Sequence, residues 1–225
     1  MNKTEVALRI TSVGIVPVIR ASTAQKALMA VDALQKGGIS VAEVTLTVPG
    51  AETVIESLRK NFAELLVGAG TVTDVGGAQR CLDAGAQFIV SPGFDAATVE
   101  FVKSQNILMM AAGLTPSEIM VAWKSGADLI KVFPCNAVGG PSYIKSLKGP
   151  FPKIPLVPTG GVNLQTAADF IRAGSEALGV GGELVQASAL DSGKPGVITE
   201  LAKQFLEIVH EARSAKATAS AVKGG

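Results

Sequence analysis

The chain has 225 residues, of which 48% are hydrophobic and 17% charged, so it buries a large core and is not a disordered or tail-like protein. Twenty Lys and Arg against nineteen Asp and Glu leave a net charge of +1, and aromatics make up 4%. No basic stripe serves a nucleic acid, and too few rings are present for base stacking or a membrane belt, so neither partner is expected.

Residues Met1 to Arg9 carry Lys3, Glu5 and Arg9 without a continuous apolar stretch. They read as a short N-terminal helix rather than a secretion signal or anchor, and a cytoplasmic protein is expected. Short runs rich in Val and Ile then alternate with longer amphipathic stretches, the βαβ pattern. The predicted strands are Ile15 to Ile19, Val41 to Leu46, Leu65 to Ala69, Phe88 to Val90, Ile107 to Ala111, Leu129 to Phe133, Leu156 to Pro158 and Ala177 to Val180. Helix punctuation agrees with them. Gly37 and Gly38, Gly85, Gly126 and Gly174 each separate a polar helical turn from an apolar strand, where a left-handed residue closes a helix. Thr115, Pro116 and Glu118 form a capping box with proline at the first helical position.

Eight strands in 225 residues leave about 28 residues per unit, which fits an α/β protein built as a closed (β/α)8 barrel. An open doubly wound sheet is the alternative, but its G-x-G-x-x-G fingerprint is missing from the first βα turn, Pro17 to Thr23. The barrel is expected to span residues 1–213 as one domain. Residues 214–225 are Ala, Lys, Ser and Gly without apolar periodicity, a low-complexity tail expected to add little to the core. Cys81 and Cys135 are expected as free thiols. With one histidine, His210, and no Cys-x-x-Cys spacing, no metal or other cofactor is expected.

Several residues break their local pattern. Of fourteen lysines, Lys131 alone lies inside a predicted strand. Alternation puts it on one face with Leu129 and Phe133, opposite Ile130 and Val132, so it points into the barrel. An unperturbed lysine is a free amine in about one molecule in two thousand at neutral pH, and desolvation raises that fraction, which suits a Schiff-base nucleophile. Glu43 breaks the strand Val41 to Leu46 and faces inward by the same parity, with Val41, Thr45 and Thr47. An inward carboxylate that meets an inward amine is either a proton carrier for imine chemistry or a structural ion pair filling the barrel.

Thr71 and Thr159 stand at C-terminal strand ends, where barrel enzymes place their chemistry, and each is either a substrate contact or a cap. Arg20 closes the first strand as a candidate acid-binding group. Glycine turns follow the last two strands, Thr159-Gly160-Gly161 and Gly179-Val180-Gly181-Gly182, in the loops where such barrels bind phosphate.

The segments Glu43-Val44-Thr45-Leu46, Gly68-Ala69-Gly70-Thr71-Val72, Ser91-Pro92-Gly93, Lys131-Val132-Phe133-Pro134 and Pro158-Thr159-Gly160-Gly161 occur in this order. Together they resemble the 2-keto-3-deoxy-6-phosphogluconate (KDPG) aldolase family, which includes 4-hydroxy-2-oxoglutarate (KHG) aldolases, from about Ile10 to Val209. The resemblance implies a metal-free class I lyase on a (β/α)8 barrel, usually a homotrimer, that acts on a 2-keto acid. It makes Lys131 the imine-forming lysine, Glu43 the acid and base, and Thr71 a holder of the pyruvate carboxylate. Pro92 and Phe133 would line the pyruvate pocket and Thr159 would touch substrate. Gly160 and Gly161, with the following Gly181 and Gly182, would bind phosphate. Two positions depart from the family pattern. Thr47 stands where an arginine often binds carboxylate, which leaves that role to Thr71, Thr47 or Arg20, and Glu183 stands where a serine commonly contacts phosphate. The competing readings are a phosphate-binding barrel isomerase or epimerase and a barrel kept as a binding protein.

Overall fold

The computed structural model describes the backbone of residues 1–223 and the side chains of residues 1–215. In chain order the first half runs α1 (Lys3–Val13), β1 (Ile15–Ile19), α2 (Ala24–Lys36), β2 (Val41–Thr45), α3 (Ala51–Asn61), β3 (Leu66–Gly70), α4 (Val75–Asp83), β4 (Phe88–Val90) and α5 (Ala96–Ser104). The second half is β5 (Leu108–Ala112), α6 (Pro116–Lys124), β6 (Leu129–Val132), a 3-10 turn (Cys135–Val138), α7 (Pro141–Lys148), β7 (Leu156–Pro158), α8 (Ala167–Arg172), β8 (Leu178–Val180), α9 (Ala187–Asp191) and α10 (Gly196–Lys223).

Every strand pair is parallel, in the order β7-β6-β5-β4-β3-β2-β1-β8. A bridge between Thr159 and Gly179, with the Glu176 amide donating to the Leu156 carbonyl, joins the two ends and closes the ring. The expected (β/α)8 barrel is the fold. All eight strands lie where the periodicity put them, with ends displaced by one residue: β3 and β5 each begin and end one residue later than expected, and Phe133 falls just past β6.

Alternation divides the core into two layers. Ile19, Val44, Val67, Ile89, Ile130 and Val180 face outward and pack against the helices. Val16, Val41, Leu66, Phe88, Leu129 and Val157 face inward as a second cluster, which Val6 and Ile10 of α1 close from the N-terminal end. The barrel floor is therefore dry and sealed by the N-terminal helix. This seal supports whatever chemistry occupies the other end.

Helix ends match their punctuation. Asn2 caps α1 with Glu5 reaching back, Thr115 and Glu118 form the expected capping box on α6, and Gly38, Gly85, Gly126 and Gly174 all have positive φ just past a helix. Within the low-complexity segment that begins at residue 214, α10 continues without a break to Lys223. Its Ala, Lys and Ser residues are good or tolerable helix formers, and an existing helix extends at far lower cost than a new one nucleates. Residues 224 and 225 lie outside the described residues. Among the described residues no helix is long and apolar enough to cross a membrane.

Candidate active site

β2 and β6 stand four places apart in a ring of eight, so their inward side chains meet across the barrel. Glu43 and Lys131 do so at the level where the apolar inner cluster ends. The Lys131 Nζ lies 3.7 Å from the Glu43 Oε1, with 5% and 2% of the two side chains exposed. That separation is longer than a charge-assisted hydrogen bond, about 2.7–2.9 Å. Glu43 Oε1 has no hydrogen-bond partner among the described residues although it is buried. Buried polar atoms are almost always partnered, so a carboxylate oxygen held close to an amine yet left free calls for an explanation other than filling space. The Lys131 ammonium also sits 5.5 Å from the centroid of the Phe133 ring, within reach of its π face.

Inward glycines make the room for this pair. A Cβ on Gly70 would lie 2.0 Å from Glu43 Oε1, and one on Gly179 would lie 2.1 Å from Thr159 Oγ1. Neither glycine has positive φ, so their role is to give space rather than to allow a special backbone. A glycine inside a strand marks such a close approach in the sequence itself. Thr45, one turn of the pleat above Glu43, is fully buried and donates to the Ile19 carbonyl at 2.9 Å, tying β2 to β1.

Two cavities flank Phe133. One, of about 330 Å³, is bounded by Pro92, Phe94, Ala112, Leu114, Glu118 and Phe133. The other, of about 190 Å³, takes in Arg20, Phe133, Thr159, Gly161, Gly182 and Glu183, with Gly160 and Gly181 also on its wall. The structure thus gathers seven of the expected ligand residues, Arg20, Phe133, Thr159, Gly160, Gly161, Gly181 and Gly182, around one space, and sets Pro92 beside the neighbouring one. Phe94, Leu114 and Glu118 were not anticipated. Glu118 carries no pattern break because its carboxylate already serves as the cap of α6, where the Thr115 and Leu114 amides hold its carboxyl below the usual range.

Four expected residues line neither cavity: the pair Lys131 and Glu43, and the threonines Thr47 and Thr71. Thr47 is exposed in the turn after β2, with its hydroxyl 2.6 Å from that of the buried Thr45. Thr71 is half-buried just beyond β3 and has φ of 58°, a left-handed conformation that is rare for a β-branched residue. Such strain costs about 1–3 kcal/mol and persists where surrounding structure enforces it, commonly at functional sites. Cys135 is buried and its thiol is pushed up to about 11 by loss of solvent, so it is no ready nucleophile.

Glu183 precedes the next helix rather than opening it. It lies in a single turn in which the Leu184 and Val185 amides donate to the Gly181 carbonyl, and α9 begins only at Ala187. Its side chain nevertheless borders the smaller cavity. Gly160 and Gly161 have φ of 95° and 75°, and a Cβ on either would collide with Asn136, so both must be glycine for the turn to lie as it does.

The family model "KDPG and KHG aldolase" matches residues 6–201. The chain belongs to this aldolase family. It is 34% identical to the 2-dehydro-3-deoxy-phosphogluconate aldolase of Treponema pallidum over 198 residues, 88% of this chain and 94% of that one. It is likewise 34% identical to the KHG/KDPG aldolase of Escherichia coli over 206 residues, 91% and 96% of the two chains. Among solved structures it resembles a KDPG aldolase from Legionella pneumophila in which pyruvate was captured at low pH as a covalent carbinolamine. The TM-score there is 0.82 at 31% identity, covering 88% of this chain and 96% of that one. Family membership sets aside the open-sheet and isomerase readings together.

Proposed function

We propose that this aldolase-family chain reversibly cleaves a 2-keto-4-hydroxy acid to pyruvate and an aldehyde through an imine on Lys131. The observation that carries the reading is the buried amine and carboxylate held 3.7 Å apart with one carboxylate oxygen unpartnered. A pair present only to fill the barrel would close to hydrogen-bonding distance and satisfy that oxygen.

In this mechanism the Lys131 amine adds to the C2 ketone, and the carbinolamine loses water to leave an iminium. Glu43 accepts the proton of the C4 hydroxyl, directly or through one water. The electrons of the C3–C4 bond then pass to the iminium nitrogen, releasing the aldehyde and an enamine. Protonation at C3 and addition of water return pyruvate and the free amine. Phe133 stacks beside the amine, Pro92 lines the adjoining cavity, and Arg20, Thr71 or Thr47 holds the carboxylate. Thr159 touches the departing half, and Gly160, Gly161, Gly181 and Gly182 form the wall that receives its far end. The candidate substrates are those in the relatives' names, KDPG and KHG, with the galactonate epimer of KDPG as an alternative.

Sodium borohydride added with pyruvate tests the chemistry. Covalent labelling of Lys131 supports it, whereas labelling of another lysine on folded protein, or of none, would sink it. Pyruvate release coupled to lactate dehydrogenase, measured on KDPG, its epimer and KHG, then ranks the substrates. A homotrimer is proposed as the assembly. Met120, Val121 and Trp123 expose apolar surface on α6, which supports burial against another copy, and light scattering that returned a monomer mass would contradict it.

A further inference from the structure

The smaller cavity beside Phe133 carries two opposite charges. The Arg20 guanidinium borders it with no hydrogen-bond or ion-pair partner among the described residues. Glu183, an exposed acid, lines the same space. Between them the amides of Gly161, Gly182 and Glu183 donate to no acceptor among the described residues.

A ligand in this space therefore meets donors from one guanidinium and the glycine turns, and acceptors from one carboxylate. A phosphate ester at neutral pH is close to a dianion and only accepts hydrogen bonds. It would bring its negative charge into a space that Glu183 also lines. A hydroxyl group both donates and accepts. An uncharged polyol tail can donate to Glu183 while accepting from Arg20 or the glycine amides, so it uses the whole wall.

We propose that this cavity selects an unphosphorylated, hydroxyl-bearing aldehyde half, and that Glu183 determines the specificity. The preferred substrate class is then a 2-keto-3-deoxy sugar acid with a free terminal hydroxyl, not its phosphate ester. This inference rests on the aldol reading above and sharpens it.

The test compares kcat/KM for 2-keto-3-deoxygluconate and KDPG in the native chain and in Glu183→Gln and Glu183→Ala. The native enzyme should favour the unphosphorylated acid at least tenfold. Both variants should raise the ratio of phosphorylated to unphosphorylated kcat/KM tenfold or more, with Gln showing that charge rather than bulk is responsible. Raising ionic strength should narrow the native discrimination, because added salt screens the repulsion. A native preference for KDPG, or a ratio that moves less than twofold in both variants, overturns the proposal. Pyruvate-dependent borohydride labelling of each variant reports that the imine site is intact. Absence of pyruvate release from every substrate together with absence of labelling would instead strike the aldol reading itself, so the two failures are separable.

Discussion

Replacing Gly70 with alanine probes the catalytic pair without altering either member. The new methyl carbon would lie 2.0 Å from Glu43 Oε1, 2.6 Å from its Cγ and 2.7 Å from its Cδ. Ordinary contact between such atoms is about 3.5–4.0 Å, so the carboxylate must move by more than about 1 Å. Glu43 is 2% exposed, so that movement takes place within a packed interior. Overpacking of this kind costs about 1–3 kcal/mol. For a chain of this length it lowers Tm by about 2–12 °C. Misplacing a reacting group by about 1 Å costs on the order of 10²-fold, and kcat for pyruvate release should fall by that much.

Gly68→Ala supplies the comparison. Its methyl would lie 2.3 Å from the Phe88 ring, a clash just as close but set among the apolar residues of the barrel floor. It should cost at least as much stability, because a buried ring yields less readily than a carboxylate, yet it should lose far less of kcat. Thermal denaturation and steady-state assays at one temperature below both transitions measure the two effects. Equal losses of kcat in the two variants, or a folded Gly70→Ala with native kcat, would refute the argument that the position of Glu43 governs proton transfer.

Lys131→Ala should abolish turnover and borohydride labelling, and because it strands Glu43 without its charge partner it should cost about 3–5 kcal/mol in urea denaturation. Glu43→Gln keeps the shape and should lower kcat by about 10²-fold or more, measured by the coupled assay. Cys135→Ala should remain active, since burial pushes that thiol up to about 11 and no histidine is at hand to activate it, and an inactive but folded variant would contradict this. Burial raises the Cys81 thiol from 9.0 to about 12, with the carboxylate of Glu52 adding to the effect. A group raised on folding contributes stability that is complete below its unfolded value and is lost as pH climbs through the folded one. Denaturation curves from pH 8 to 11 should therefore show a loss approaching 1.36 kcal/mol per pH unit above 9, and Cys81→Ala should flatten it.

The barrel was legible because its strands are apolar on both faces and its helices are punctuated by glycine, two signals that are local in sequence. Lys131 and Glu43 were legible for the opposite reason, each being a charge in a place where the surrounding pattern demands none. What escaped depended on neighbours distant in the chain. Gly70 matters only because Glu43, twenty-seven residues earlier, needs its volume, and Gly179 only because Thr159 lies against it across the closing seam. The continuation of α10 beyond Ser214 left no apolar period to detect, for it follows from propensity and an established helix rather than from a buried face.

Arg213 on α10 donates to the carbonyls of Thr11, Ser12 and Glu176, fastening the last helix to the end of the first one and to the entrance of β8. The bonds to Thr11 and Ser12 join residues more than two hundred positions apart. On the ribosome, the N-terminal plug emerges first but must wait for almost the whole polypeptide before this clasp can form. Docking of the final helix on the first is thus a late, long-range event, whereas the apolar face of α1 finds its partners on the barrel strands themselves.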